Sequence, residues 1–126
     1  MKIEMKMKDN IVLDKSFDFA VRIVRLYQYL CDEKKEYILS KQLLRSGTSI
    51  GANINEAQAG QSKKDFIAKM SIASKEARES KYWIKLLIKT DYLDRNDKYT
   101  KSLVNDVEEM VKLLTSIIKS SGAKNE

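Results

Sequence analysis

The sequence lacks histidine and proline altogether, and it contains one cysteine in 126 residues. Without histidine, neither a Ser-His-Asp triad nor a Cys-His nucleophile can be assembled, and a histidine general base is absent. The Glu-x-x-His ligands of di-iron helical proteins are missing for the same reason. We therefore expect a protein that is not an enzyme and that holds no metal or cofactor.

Disulfides and long apolar runs are also missing. Cys31 alone permits neither an intrachain disulfide nor a zinc cluster, and we expect it to be a small buried hydrophobe. The longest uncharged stretch, residues 46–55, is far shorter than the roughly 20 residues that span a bilayer. The first eight residues alternate charged and apolar side chains, unlike a signal peptide. These features predict a cytoplasmic protein without a membrane anchor.

Apolar residues recur at three- and four-residue steps in four long segments, which is the spacing of amphipathic helices. The segments cover about residues 16–31, 40–60, 62–90 and 94–121. Because short connections make neighbouring helices antiparallel, the sequence predicts an all-α fold, an antiparallel up-down four-helix bundle. We expect a single domain over residues 1–126, with a loose N-terminal arm at 1–13 and a frayed tail at 122–126.

Helix signals support these boundaries. The run Ser62-Lys63-Lys64-Asp65 is typical of a capping box, in which side-chain oxygens accept hydrogen bonds from free amides of the first turn. A similar start is predicted at Asp94-Arg95-Asn96-Asp97, and Gly122 is a plausible stop.

The first helix has two apolar rows, although a lone bundle needs only one apolar stripe per helix. We assign one row to the core: Phe17, Ala20, Val21, Val24, Tyr27 and Cys31. We assign the other to a homo-oligomer interface, together with the outer face of the second helix: Phe19, Ile23, Leu26, Leu30, Thr48, Ala52, Asn55 and Ala59. The alternative is that loops and the N-terminal arm cover the spare surface.

The run from Ser46 to Gly51 is rich in poor helix formers, and each glycine costs about 1 kcal/mol relative to alanine in a helix. Its Gly47 and Gly51 do not have the spacing or the Gly-Lys-Ser/Thr ending of a phosphate-binding P-loop. We therefore interpret this run as a site of close helix packing.

Positive charge is concentrated in the third helix: the segment from Ser62 to Thr90 contains eight basic and three acidic residues. At about 100° per residue, six of the basic residues share one side: Lys64, Lys75, Arg78, Lys81, Lys85 and Lys89. Such a row can follow nucleic-acid phosphates without reading sequence. The alternative is an ordinary solvated face. Tyr82 and Trp83 could stack on bases, although Trp83 fits a subunit boundary better.

Other charged residues have simpler expected roles. Arg22 either extends the basic surface or pairs with Asp18. Glu56, Glu76 and Glu79 are expected to pair with Arg45 or Arg78 between helices, because no paired acid and base is evident.

The run from Leu43 to Ala57, LLRSGTSIGANINEA, resembles the signature of a four-helix-bundle family named for proteins encoded in intervening sequences of 23S ribosomal RNA. The segments KSFDFAV at residues 15–21, SKKDF at 62–66, KEARE at 75–79 and the pair Tyr82-Trp83 are similar to the family's other helices. The resemblance implies a bacterial, non-enzymatic bundle assembled as a homopentameric ring. The family is in turn similar to the accessory variability determinant of diversity-generating retroelements, which implies a reverse transcriptase and nucleic acid as partners.

These observations lead to one functional hypothesis and one alternative. The hypothesis is a homo-oligomeric nucleic-acid-binding accessory protein that contacts RNA or DNA phosphates through the basic row. The alternative is a protein-interaction scaffold with no direct role in nucleic-acid binding.

Overall fold

The structure, a computed structural model, describes the backbone of residues 2–123 and the side chains of residues 9–122. Its four helices are α1 (Lys2–Asp32), α2 (Leu39–Gln58), α3 (Lys63–Lys89) and α4 (Lys98–Ala123). Residues 2–123 contain no β-strand, so the predicted all-α, four-helix fold is confirmed. Each helix packs against the next, and α1 also packs against α4.

The prediction of a loose arm over residues 1–13 is wrong for the described part of that segment, because α1 begins at Lys2. Val12 is fully buried in the core, which anchors this part of the helix. Gly122 lies inside α4 and does not stop it. The rest of the predicted tail, residues 124–126, lies outside the described residues.

The two rows of α1 occupy faces opposite to those predicted. Phe19, Ile23, Leu26 and Leu30 are at most 2% exposed and form the core with the other helices. They are therefore unavailable for the subunit interface to which the sequence assigned them. Phe17, in contrast, is 67% exposed, and Val21 and Val24 are each 39% exposed. Cys31, expected to be buried, is half-buried.

The cause lies in how closely α1 approaches α2. A methyl group on Gly47 would lie 2.8 Å from Cγ1 of Ile23, and one on Gly51 would lie 3.3 Å from Oγ of Ser16. Only the face of α1 that carries Ser16 and Ile23 meets these two glycines. The prediction of close helix packing at this run is confirmed, and the same packing turns the large aliphatic row inward.

The helix ends have specific caps. Ser62 Oγ accepts a hydrogen bond from the Asp65 amide at 3.1 Å, as the capping box predicted. The Asp94 carboxylate accepts a hydrogen bond from the Asn96 amide in the turn before α4. The helix itself begins later, at Lys98. At the end of α3, the amides of Asp91 and Tyr92 donate to the carbonyls of Ile88 and Leu87. This is a Schellman motif.

The cap on α2 has no distinctive sequence pattern. Glu36, which is 7% exposed, accepts hydrogen bonds from the amides of Ile38, Leu39 and Ser40 at 3.1, 2.9 and 2.6 Å. Burial acts to raise the pKa of Glu36, but these amides hold the pKa below its usual value. The carboxylate thus satisfies the free N–H groups at the start of α2.

Candidate nucleic-acid interface

The predicted basic row occurs on one side of α3. Five of its members have exposed side chains: Lys64, Lys75, Arg78, Lys85 and Lys89. None of these five makes an ion pair with a described residue. The sixth, Lys81, is half-buried and pairs with Glu108 of α4 at 3.4 Å. From Lys75 to Lys89 the row extends about 20 Å along the helix at 1.5 Å per residue.

The acidic residues of α3 lie on its other flank, toward α2. Arg45 of α2 forms ion pairs with Glu76 at 3.3 Å and with Glu79, as predicted for these carboxylates. Glu79 also accepts a hydrogen bond from Trp83 Nε1 at 3.0 Å. Trp83 is half-buried, and Tyr82 packs edge-on against it. The α2–α3 contact therefore engages these carboxylates with Arg45, and the described ion pairs join neither of them to the basic row.

Helix α4 adds positive charge that the sequence did not reveal, because its basic and acidic residues nearly cancel. The acidic Asp106 and Glu109 face α1, where they pair with Arg22 at 2.6 Å and Lys15 at 2.9 Å. Glu108 of α4 contacts α3 through its ion pair with Lys81. Three exposed lysines lie on the same face of α4 as Glu108, one of them seven residues before it and the others four and eleven residues after it: Lys101, Lys112 and Lys119. They widen the basic surface of α3.

Arg22 belongs to the α1–α4 contact and does not extend the basic row. Its guanidinium bonds Asp106 and Ser102, and it donates to the Tyr99 carbonyl at 3.2 Å. It also lies 4.8 Å from the centroid of the Tyr99 ring. Burial raises the pKa of Tyr99, and Arg22 partly offsets this effect. The predicted pair with Asp18 is absent from the described ion pairs.

A second surface has little charge. Phe17, Val21 and Val24 of α1 lie on the side of that helix that adjoins α2. The outer residues of α2 expected at an interface do lie at the surface: Ala52, Asn55 and Ala59 are exposed, and Thr48 is half-buried. Helical spacing places both rows beside the same α1–α2 groove.

Three features of the described residues bear on other functions. No helix is long and apolar enough to cross a membrane. No group of three or more histidine, cysteine, aspartate or glutamate side chains is placed to hold a metal ion. A cavity of about 730 Å³ lies where the α3–α4 connection meets the second half of α1.

Comparisons with known proteins identify relatives of the chain. The family model of the 23S rRNA-intervening sequence protein matches residues 8–116. The chain is similar to a solved protein of unknown function from the S23 ribosomal protein family of Bacteroides thetaiotaomicron VPI-5482. The two share 59% sequence identity and a TM-score of 0.85, over 89% of this chain and 98% of the other. No curated protein matches significantly. The chain belongs to the 23S rRNA-intervening sequence protein family.

Proposed function

We propose that this protein is a cytoplasmic, non-enzymatic accessory protein that binds RNA or DNA phosphates through the basic surface of α3. The observation that carries the proposal is the charge arrangement of this helix. Five exposed cations on one side have no ion-pair partner among the described residues, while Glu76 and Glu79 are engaged by Arg45 on the other. Unpaired cations are the groups that replace counterions along a phosphate backbone.

The expected mode of binding is electrostatic and largely independent of sequence. Lysines dominate the surface, and lysine acts on phosphate as a flexible point charge. The lysines of α4 that share the face of Glu108 give this surface width as well as length. Contacts of this kind position a nucleic acid without reading its bases.

The protein is further proposed to be an antiparallel up-down bundle that assembles into a homo-oligomeric ring, a pentamer by the resemblance. Its interface would use the uncharged α1–α2 surface: Phe17, Val21, Val24, Thr48, Ala52, Asn55 and Ala59. Phe17 at 67% exposure is a large aromatic side chain that association would remove from water. A second copy is favoured as occupant because the seven residues of this surface carry no charge.

A protein-interaction scaffold is the competing function, and one observation favours it. Tyr37 and Ile38, in the connection between α1 and α2, are 56% and 74% exposed. A partner protein, such as the reverse transcriptase implied by the resemblance, could cover them. In that case the basic surface would have no direct role.

Charge reversal separates the two functions. Lys75→Glu and Lys85→Glu each change the net charge by two and should each weaken binding to a mixed-sequence single strand. Each should also make the dependence of log affinity on log salt shallower by about 0.7 per lost phosphate contact. Lys35→Glu, a substitution with the same change of charge at an exposed position in the α1–α2 connection, should have a much smaller effect. Equal effects of all three variants would overturn the proposed surface.

A further inference from the structure

The cavity beside the α3–α4 connection shares only Lys89 with the basic row of α3. Its volume of about 730 Å³ falls within the roughly 300–1,000 Å³ of small-molecule sites. Its walls come from the second half of α1, the α1–α2 connection, the end of α3, the α3–α4 connection and the start of α4. Its lining includes basic and aromatic side chains, among them Arg25, Lys89, Arg95, Tyr29, Tyr92 and Tyr99.

The aromatic lining is accessible and partly held in place. Tyr29 is 44% exposed and Tyr99 is 37% exposed, while Tyr92 packs against the core. The Tyr99 ring is positioned by Arg22, which is itself fixed by Asp106 and Ser102. Rings held in this way lose little conformational freedom when a planar ligand stacks on them.

The charges of the cavity narrow the chemistry of its ligand. Arg25, Lys34, Lys89 and Arg95 supply donors for an anion, but Asp91, Asp94 and Asp97 also line the cavity. The three carboxylates offer hydrogen-bond acceptors beside these four cations, so the lining is not specific for a ligand that is only anionic. They suit a molecule that also presents N–H donors, as the amino groups of nucleobases do. A nucleotide combines a planar ring, N–H donors and a phosphate.

Lys89 connects this cavity to the surface already described, because it is the last member of the basic row and also lines the cavity. A single strand whose phosphates follow α3 would therefore reach the cavity where the helix ends. We infer that the cavity binds the terminal nucleotide of that strand, with its base against Tyr29 and Tyr99 and its phosphate beside Lys89 and Arg95. This inference rests on the proposed function.

The test compares a linear oligonucleotide with a covalently closed circle of the same sequence, which has the same phosphates but no end. Fluorescence anisotropy should give a tighter Kd for the linear strand by roughly fivefold to 100-fold, the scale of one stacked base. Tyr29→Leu should remove this preference and leave the Kd for the circle unchanged. Tyr37→Leu, an exposed tyrosine outside the cavity, should alter neither Kd.

The outcomes distinguish the two proposals. Equal binding of linear and circular strands by the natural protein would overturn the cavity inference and leave phosphate binding along α3 intact. Binding of adenosine monophosphate that depends on Tyr29, without any preference for linear strands, would assign the cavity to free nucleotides and overturn the claim for strand ends. Absence of binding to either strand would overturn the proposed function, and the inference that rests on it.

Discussion

A methyl group on Gly47 would lie 2.8 Å from Cγ1 of Ile23, closer than side-chain carbons approach one another. The same methyl group would lie 3.3 Å from Cβ and 3.0 Å from Cγ2 of Ile23. Because all three atoms of Ile23 are close, rotation of its side chain about the Cα–Cβ bond does not relieve the contact. Gly47→Ala gains about 1 kcal/mol of helix propensity, but overpacking costs about 1–3 kcal/mol. We expect a net loss of stability in chemical denaturation.

Gly122→Ala is the matched control for this prediction. An added methyl group there meets no atom within 4 Å, so the substitution should be neutral or slightly stabilising. A stabilised Gly47→Ala variant would contradict the close packing of α1 against α2.

The assignment of the two faces of α1 predicts different results for two acidic substitutions. Val21→Asp, at a 39% exposed position, should dissociate the proposed oligomer and leave the helical circular dichroism spectrum unchanged. Leu26→Asp, at a 2% exposed position, should unfold the chain because it buries a charge without a partner. Light scattering gives the mass in each case. An assembly that survives Val21→Asp would count against the uncharged α1–α2 surface as the interface.

The ionised carboxylate of Glu36 stabilises the fold, so we expect the free energy of unfolding to fall at acidic pH. Because its pKa is lowered in the folded state, its contribution is complete above pH 4.5, the ordinary value for glutamate. The contribution is lost as the pH falls through the lowered pKa. Glu36→Gln should reduce stability at neutral pH by about 1–2 kcal/mol, the scale of a lost helix cap, and its stability should fall less steeply below pH 4.5. Identical acid unfolding of both proteins would refute this account.

Asp91 adopts a left-handed conformation, with φ of 69°, at the position after the α3 C-cap. Glycine has no Cβ to strain this conformation. Asp91→Gly relieves left-handed strain of about 1–2 kcal/mol against a glycine entropy cost of about 0.5–1 kcal/mol. It should therefore raise the free energy of unfolding, whereas the β-branched Asp91→Val should lower it. Thermal unfolding of both variants checks this prediction, and the opposite order would contradict the Schellman geometry.

Sequence periodicity was sufficient to predict four helices, because each long segment repeats its apolar residues at helical spacing. It could not choose between the two rows of α1, since Phe17-Val21-Val24 and Phe19-Ile23-Leu26 have the same spacing. The choice depends on which face meets Gly47 and Gly51, and that contact is set by tertiary packing. The Glu36 cap was missed for a similar reason, because a carboxylate several residues before a helix has no distinctive pattern.

The basic row of α3 could be predicted because all its members lie on one helix. The lysines of α4 could not, since their face is identified only by the contact between Glu108 and Lys81. The cavity is also invisible in the sequence. Tyr29 and Tyr99 are far apart along the chain, and only the packing of α1 against α4 brings both to it.

The proposed function requires that exposed cations on α3 bind nucleic-acid phosphates. The most direct test is the affinity of the natural protein for a mixed-sequence single strand across a salt series. If the five exposed cations of the basic row contact phosphates, log affinity should fall linearly with log salt with a slope of about −3.5. No binding at the lowest salt, or an affinity that does not change with salt, would contradict the account.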